Sequence, residues 1–380
     1  MSKTTIQISQ PVCDETEWNA LQEPIQTGWL TQGPKVAEFE KLFATEHNAK
    51  HSIAVTSCTT GLHLALAAIG IGPDDEVIVP AFSWIASANV ILHCGATPVF
   101  VDIEKNTFNI DIKQVEKAIS KKTKAVMAVH LFGLCANITD LKNCGPPHIK
   151  IIEDAACATG AKMGEAFAGT LGDAGVFSFH PRKIITTGEG GMVTTEDTDL
   201  AEIMVQMRNH GATLSEEQRH LGSKPYILPD FNLLGYNYRM TDLQGAVGVI
   251  QMQRLNKLLE ERRQWARFYS EKLQHITWLQ PPQEPEGFTH SWQSYVTYVD
   301  AERAPGSRNE IMDQLYSKGI STRPGTHALH IQNYYKNLFG FQSEDFPNAF
   351  NAHMNSMAIP LHNKMSEEDF QYVVETFQSI

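Results

Sequence analysis

Between residues 50 and 195, short apolar runs alternate with helical patterns, and few architectures can absorb that alternation over so long a stretch. Residues 51–55, 76–79, 97–101, 124–130, 150–153, 176–179 and 191–194 read as strands. Their nearly continuous apolar character is that of strands covered on both faces. After the first of them, residues 60–69 place Leu62, Ala65, Leu66 and Ile69 on one face of a helix, which Gly70 and Gly72 then stop. Strands interleaved with helices predict an α/β chain: a large domain with a mostly parallel sheet covered by helices. The last third has a different texture. A long helix is expected over 242–273, polar and rich in Glu and Arg after Arg254. Pro281, Pro282 and Pro285 mark a connector, 294–299 reads as a strand, and 308–318 and 367–377 read as helices. The expectation is a large domain over 1–245, with its N-terminal segment packed on a smaller C-terminal α/β domain over 246–380.

Composition narrows the function classes. Of 380 residues, 42% are hydrophobic and 19% charged, enough apolar surface for a sizeable core and against global disorder. There are 31 basic and 43 acidic residues, a net charge of −12, and the longest basic runs are pairs. Neither nucleic acid nor an anionic membrane is an expected partner. The six cysteines show no zinc-ligand spacing, so no metal site is expected and free thiols in a reducing compartment are. The opening Met1-Ser-Lys-Thr lacks the apolar stretch of a signal peptide, and no run is long enough to span a membrane. The expected location is the cytoplasm.

The chemistry is concentrated between Glu153 and Gly191. Ile151-Ile-Glu-Asp154 is an apolar run ending in two acids. At the carboxyl end of a parallel strand, Asp154 would point into the crevice where such sheets bind ligands, although a strand-end Asp also caps helices. Further on come Ser178-Phe-His-Pro-Arg-Lys183 and Thr186-Thr-Gly-Glu-Gly-Gly191. A crevice lysine can lose its proton and attack a carbonyl as a free amine, whereas a loop lysine is simply solvated. The glycine run lacks the Gly-Lys-Ser/Thr of a P-loop and reads as a tight turn needing positive φ. Together, a strand-end acid, a serine read as lying two residues into a loop, and a lysine five residues on meet the demands of pyridoxal 5'-phosphate (PLP). The group needs an anion beneath its ring nitrogen, an amine for its aldehyde, and hydroxyls and N–H groups for its phosphate. Asp154, Lys183 and Ser178 supply the side chains. Ser57-Cys-Thr-Thr-Gly61, between the first strand and the first helix, supplies a helix N-terminus for the phosphate; plain N-capping by Thr59 is the alternative.

Further motifs extend along the chain: Thr27-Gly-Trp-Leu-Thr-Gln-Gly-Pro34, Pro80-Ala-Phe-Ser-Trp84, Gly95-Ala-Thr-Pro-Val-Phe-Val-Asp102, Val129-His-Leu-Phe-Gly133, Arg208-Asn-His-Gly211 and Leu234-Gly-Tyr-Asn-Tyr-Arg-Met-Thr-Asp242. With these the chain resembles the PLP-dependent nucleotide-sugar aminotransferases of the DegT/DnrJ group. The resemblance implies the aspartate-aminotransferase-like fold type I. It implies that Trp84 stacks on the cofactor ring and that Thr59 and Thr60 hold the phosphate. Asn237 would reach a phosphate in a neighbouring subunit, which implies a homodimer with shared active sites. Cys157 stands where the family usually has a Gln bonding the ring oxygen, and a thiol is a weak donor. Lys183 stands where related sugar dehydratases carry His, which favours transamination.

The implied reaction moves an amino group from an amino acid, L-glutamate, to a nucleotide-linked keto sugar. The cofactor alternates between PLP and pyridoxamine 5'-phosphate (PMP), and the product serves amino-sugar, lipopolysaccharide or other surface polysaccharide, or antibiotic sugar biosynthesis. Trp29 is expected in the sugar pocket, or else in the core. Arg323 and His327 are expected on the sugar side, Arg323 against a diphosphate, or else in a surface turn around Pro324-Gly325. His180 would shape the site without a catalytic task. A same-fold dehydratase, an aromatic-ring-forming relative and a non-catalytic regulator are the competing readings; the intact Asp154, Ser178 and Lys183 set argues against the last.

Overall fold

The computed structural model describes residues 5–214 and 226–380; Met1–Thr4, part of the opening read for a signal peptide, lie outside them. At the centre is a seven-stranded sheet. Its spatial order is His51–Val55, Gly191–Thr195, Ala174–Ser178, Lys150–Asp154, Thr123–Val129, Glu76–Pro80 and Thr97–Val101. Gly191–Thr195 runs against both neighbours, and the other strands run in one direction. The reversal has a local cause. Residues 179–190 form turns rather than a crossover helix, so the chain returns antiparallel. The expected strands are all present, with ends shifted by one or two residues. One shift corrects the reading of the site: Ser178 closes the strand Ala174–Ser178 and is not a loop residue.

Alternation along the strands feeds different apolar layers. Ile53, Val55, Val77, Val79, Val176 and Val193 join a cluster with Leu62, Val90, Ile91 and Met204 from the helices Cys58–Ala68, Ala86–His93 and Thr198–Arg208. On the opposite face, Ala54, Phe177 and Met192 meet Val36, Phe39 and Phe43 of helix Pro34–Glu46 and Val249 and Leu255 of the long helix Asp242–Leu273. The helix Cys58–Ala68 differs from its expected one-sided pattern. Gly61 through Leu66 are all buried, because helices as well as the sheet pack around it.

A second sheet, Leu279–Gln280, Tyr295–Val299, Ser356–Ile359 and Arg323–Pro324, is antiparallel throughout. Helices Arg308–Ser317 and Glu367–Gln378 cover it through Ile311, Leu315, Phe370 and Val373. The long helix contributes to both cores, with Leu255 and Leu259 in one and Ala266, Tyr269 and Leu273 in the other. The expected division at 245/246 therefore falls one turn into a continuous helix. Ile6 exchanges backbone hydrogen bonds with Gly319 (2.8 Å) and Ser321 (2.9 Å), so the N-terminal segment lies on this second unit.

The long helix begins with a capping box between Thr241 and Gln244. Its next residue serves a second helix. The buried carboxylate of Asp242 accepts from the N–H groups of Gly33 (2.8 Å), Val36 (2.9 Å) and Lys35 (3.1 Å), closing the N-terminus of Pro34–Glu46. Asp242→Ala leaves three buried donors unpaired and is expected to lose about 2–3 kcal/mol in urea unfolding. Asp242→Asn, which keeps one acceptor oxygen, should lose roughly half of that.

Candidate active site

The sheet register brings the expected site residues to one edge. Val55 pairs with Gly191 and Gly191 with Ser178, so these three lie abreast, while Asp154 pairs with Val176 on the next strand. All are at or near carboxyl ends of the parallel strands, where such sheets present functional groups. Gly191 lets the chain after Val55 come down onto the sheet. A Cβ there would stand 2.6–2.7 Å from backbone atoms of Ser57 and Cys58. Gly190 is equally confined, with Thr187 Oγ1 at 2.3 Å from a Cβ, whereas Gly188 alone in this run needs positive φ (+83°). The glycine run thus serves close approach more than turn formation.

Helix Cys58–Ala68 is capped by Ser57, not by Thr59. The Ser57 hydroxyl accepts from the Thr60 N–H at 3.2 Å, and the Ser57 N–H donates to Thr60 Oγ1 at 3.0 Å. The Thr60 hydroxyl is therefore turned into the cap, with a further contact to Thr56 Oγ1 at 3.0 Å. The preceding N–H groups, of Cys58 and Thr59, remain open donors at the positive end of the helix.

Asp154 is 5% exposed. Its Oδ2 accepts from Ser87 Oγ at 2.7 Å; its Oδ1 accepts from the Ala156 N–H at 3.2 Å and faces Cys58 Sγ at 3.9 Å. Burial, then the Asp154 charge, push the Cys58 thiol well above its ordinary value, so it stays a protonated donor here. Ser87 was not foreseen. Ala86-Ser-Ala-Asn reads as unremarkable helix, and the one clue was its spacing of one turn from Trp84.

Lys183 follows a turn closed by its own N–H on the His180 carbonyl (2.8 Å), and its Nζ donates to Cys157 Sγ at 3.0 Å. Cys157 is held in turn: Ser291 Oγ donates to its carbonyl at 3.2 Å, and the Ser291 N–H donates to the Gly133 carbonyl at 2.9 Å. Burial, reinforced by Lys183, Arg182 and Arg323 against an opposing pull from Glu189, keeps the His180 imidazole below its ordinary value.

Of the groups expected on the sugar side, His327 and Arg323 lie close by. Strand Phe82–Ser83 pairs with His327–Ala328, setting the His327 ring 5.7 Å from the ring of Trp84, which is 61% exposed. Arg323 begins the short strand Arg323–Pro324 rather than a surface turn. Its buried Nε has no hydrogen-bond partner among the described residues, and burial followed by the nearby Arg182 lowers its guanidinium pKa. Trp29 is half-buried and packs on Gly33. Asn237 is exposed, on a segment whose Tyr238 carbonyl receives the Thr56 N–H at 3.0 Å beside the helix cap.

A carboxylate held at both oxygens, an amine on the next loop, open helix N–H groups and an exposed indole ring together fit PLP. Among the described residues no cluster of His, Cys, Asp or Glu is placed to hold a metal ion, and no helix is long and apolar enough to cross a membrane.

Fold and site together are those of a PLP-dependent transaminase. Residues 11–378 match the DegT/DnrJ/EryC1/StrS aminotransferase family, and the chain belongs to it. It is 38% identical over 374 residues to the spore coat polysaccharide biosynthesis protein SpsC of Bacillus subtilis, covering 98% of this chain and 96% of that one. It is 36% identical over 378 residues to the GDP-perosamine synthase of Caulobacter vibrioides, covering 99% and 98%. Among solved structures it superposes on a Streptococcus pneumoniae protein assigned as a sugar aminotransferase, Spr1654, in its PMP form. That match has a TM-score of 0.91 and 30% identity over 98% of each chain, and the PLP form matches at 0.90. PLP is the cofactor of this family.

Gly191→Ala is expected to push the Ser57–Cys58 backbone away and weaken PLP binding by about tenfold or more, read by absorbance titration of the apoprotein. Gly188→Ala, strained only in its own φ, should lower stability by about 1 kcal/mol and leave that affinity in place.

Proposed function

We propose that this protein transfers the amino group of an amino acid, L-glutamate, to the ketone of a nucleotide-linked sugar, as a homodimer with shared active sites. The observation that carries this reading is the Lys183 amine beside Cys157, on the loop that leaves Ser178, next to the strand-end carboxylate of Asp154. The names of two relatives, a GDP-perosamine synthase and a spore coat polysaccharide protein, support a sugar acceptor and an outlet in surface polysaccharide.

PLP, when bound, supplies an electron sink beside the carbon that loses its proton. The rest is the work of this chain. Lys183 Nζ would hold the aldehyde group and, when free, would serve as the base that takes and returns the proton at the substrate carbon. Asp154 would hold a carboxylate against the ring nitrogen. Thr59, Ser178 and the N–H groups of Cys58 and Thr59 would receive the phosphate, and Thr60 would contribute by holding the cap in shape. Trp84 offers its ring face. Cys157 lies beside the amine and would pack on the ring edge.

On the acceptor side, Arg323 presents a guanidinium to the diphosphate, with Trp29 and His327 flanking the sugar. Asn237 reaches the phosphate of a second subunit. The exposed apolar side chains Leu228, Phe231 and Leu234 near it favour burial against another copy. Lys183 separates this reading from a dehydratase, which carries His there.

Two measurements test the proposal. Lys183→Ala should abolish turnover and the borohydride-trapped adduct on the peptide carrying residue 183; full activity in that variant refutes it. Incubation of the PLP form with L-glutamate should release 2-oxoglutarate and leave PMP on the protein. An unresponsive cofactor spectrum would remove glutamate as donor.

A further inference from the structure

We infer that Ser87, backed by Ser83, is a positioning residue of this reaction: it fixes the orientation in which the Asp154 carboxylate receives the cofactor's ring nitrogen. The inference rests on the role proposed for Asp154 above.

The geometry is a chain of two hydroxyls ending on one carboxylate oxygen. Ser83 Oγ lies 2.8 Å from Ser87 Oγ, and Ser87 Oγ lies 2.7 Å from Asp154 Oδ2. Both serines are fully buried, at 1% and 0% exposure. Counting hydrogens sets the direction. An ionised carboxylate only accepts, so Ser87 donates its single O–H to Asp154, and the Ser83–Ser87 bond uses the hydrogen of Ser83. Each bond polarises the next, and the terminal one is charge-assisted.

A helical serine ordinarily bonds back to the carbonyl one turn earlier. Ser87 instead reaches a residue 67 positions away. Between Ala86 and Ala88 an alanine would pack at least as well and favour the helix more, so the hydroxyl's distinctive contribution is this bond. The opposite oxygen, Oδ1, is held by the Ala156 N–H and Cys58. Fixed at both oxygens, the carboxylate has little freedom to swing. Ser83 in turn belongs to the strand paired with His327–Ala328, so the relay starts on the element that sets the sugar side of the crevice.

The test uses holoenzyme loaded with PLP labelled with ¹⁵N in the ring, whose nitrogen resonance reports protonation directly. In the native protein the signal should be that of a protonated ring throughout the neutral range. In Ser87→Ala it should become pH-dependent within that range, kcat should fall by about tenfold, and KM for the donor should change little. Ser87→Thr should restore both readouts, and Ser83→Ala should move them the same way by less. Asp154→Asn serves as the reference and should lose the protonated signal or the cofactor. If Asp154→Asn behaves so while Ser87→Ala keeps the native signal and kcat, the inference is overturned and the role of Asp154 stands. If Asp154→Asn also keeps the native signal, the reading beneath it fails as well. Should Ser87→Ala not fold, Ser83→Ala decides: an unchanged resonance overturns the relay.

Discussion

No side chain fits at residue 191, and the site is organised around that exclusion. A Cβ would lie 2.6–2.7 Å from the backbone of Ser57 and Cys58. Its absence lets a helix N-terminus settle on the edge of the sheet at the level of Ser178. The reversed strand Gly191–Thr195 matters for the same reason: it sets this glycine between Val55 and Ser178. Helix donors, strand-end hydroxyl and strand-end carboxylate then share one rim. The approach is tight on the helix side too, since a Cβ on Gly61 would meet Val176 at 2.6 Å.

Two adjacent acids at the end of Lys150–Asp154 show how a strand gives neighbours different tasks. Successive side chains leave opposite faces of a sheet. Glu153 is buried and accepts from the N–H groups of Gly169 (2.8 Å), Leu171 (2.8 Å) and Gly172 (2.5 Å), with His130 Nε2 at 2.7 Å. His130 Nδ1 accepts from the Ala136 N–H, which leaves Nε2 as the donor to Glu153. That acid ties loops together, with its lone pairs committed to protein. Asp154 faces the helix Cys58–Ala68 instead and keeps acceptor capacity toward the crevice. The apolar run ending in Glu-Asp announces a strand end, but only the alternation decides which acid faces the helix Cys58–Ala68.

Much of this was legible in the residues. The apolar ends of 51–55 and 97–101 mark them as strands, and both were found to the residue; the long helix showed itself from Asp242 to Leu273. Asp154 and Lys183 stood out because an acid at a strand end and a lysine after a Ser-Phe-His-Pro turn are chemically conspicuous. What escaped depends on three-dimensional partners. The cap belongs to Ser57 because a capping box with Thr60 competes better than Thr59 alone. A surface turn around Pro324-Gly325 stood as the alternative for Arg323 and His327 because two-residue strands leave no periodic trace. Ser87 was silent, since a small residue in a buried helix carries no pattern until its carboxylate partner, far along the chain, is placed beside it.

Cys157 shifts weight onto that carboxylate. In the proposed reading, the glutamine usual in the family at this place would donate an amide hydrogen to the ring oxygen; a thiol donates weakly, and this one already receives the Lys183 amine at 3.0 Å. The polar hold along that edge of the ring is correspondingly reduced. The remaining anchors would act from the two ends: phosphate at the helix N-terminus and ring nitrogen at Asp154. Two anchors would leave rotation about the line between them to be limited by packing, for which the exposed face of Trp84 is available. A carboxylate free to turn would then change the ring's tilt as well as its charge environment, so the bonds from Ser87, Ala156 and Cys58 bear on geometry and electrostatics together. On that reading, the substitution at 157 would make the orientation of one buried acid a condition for the whole arrangement.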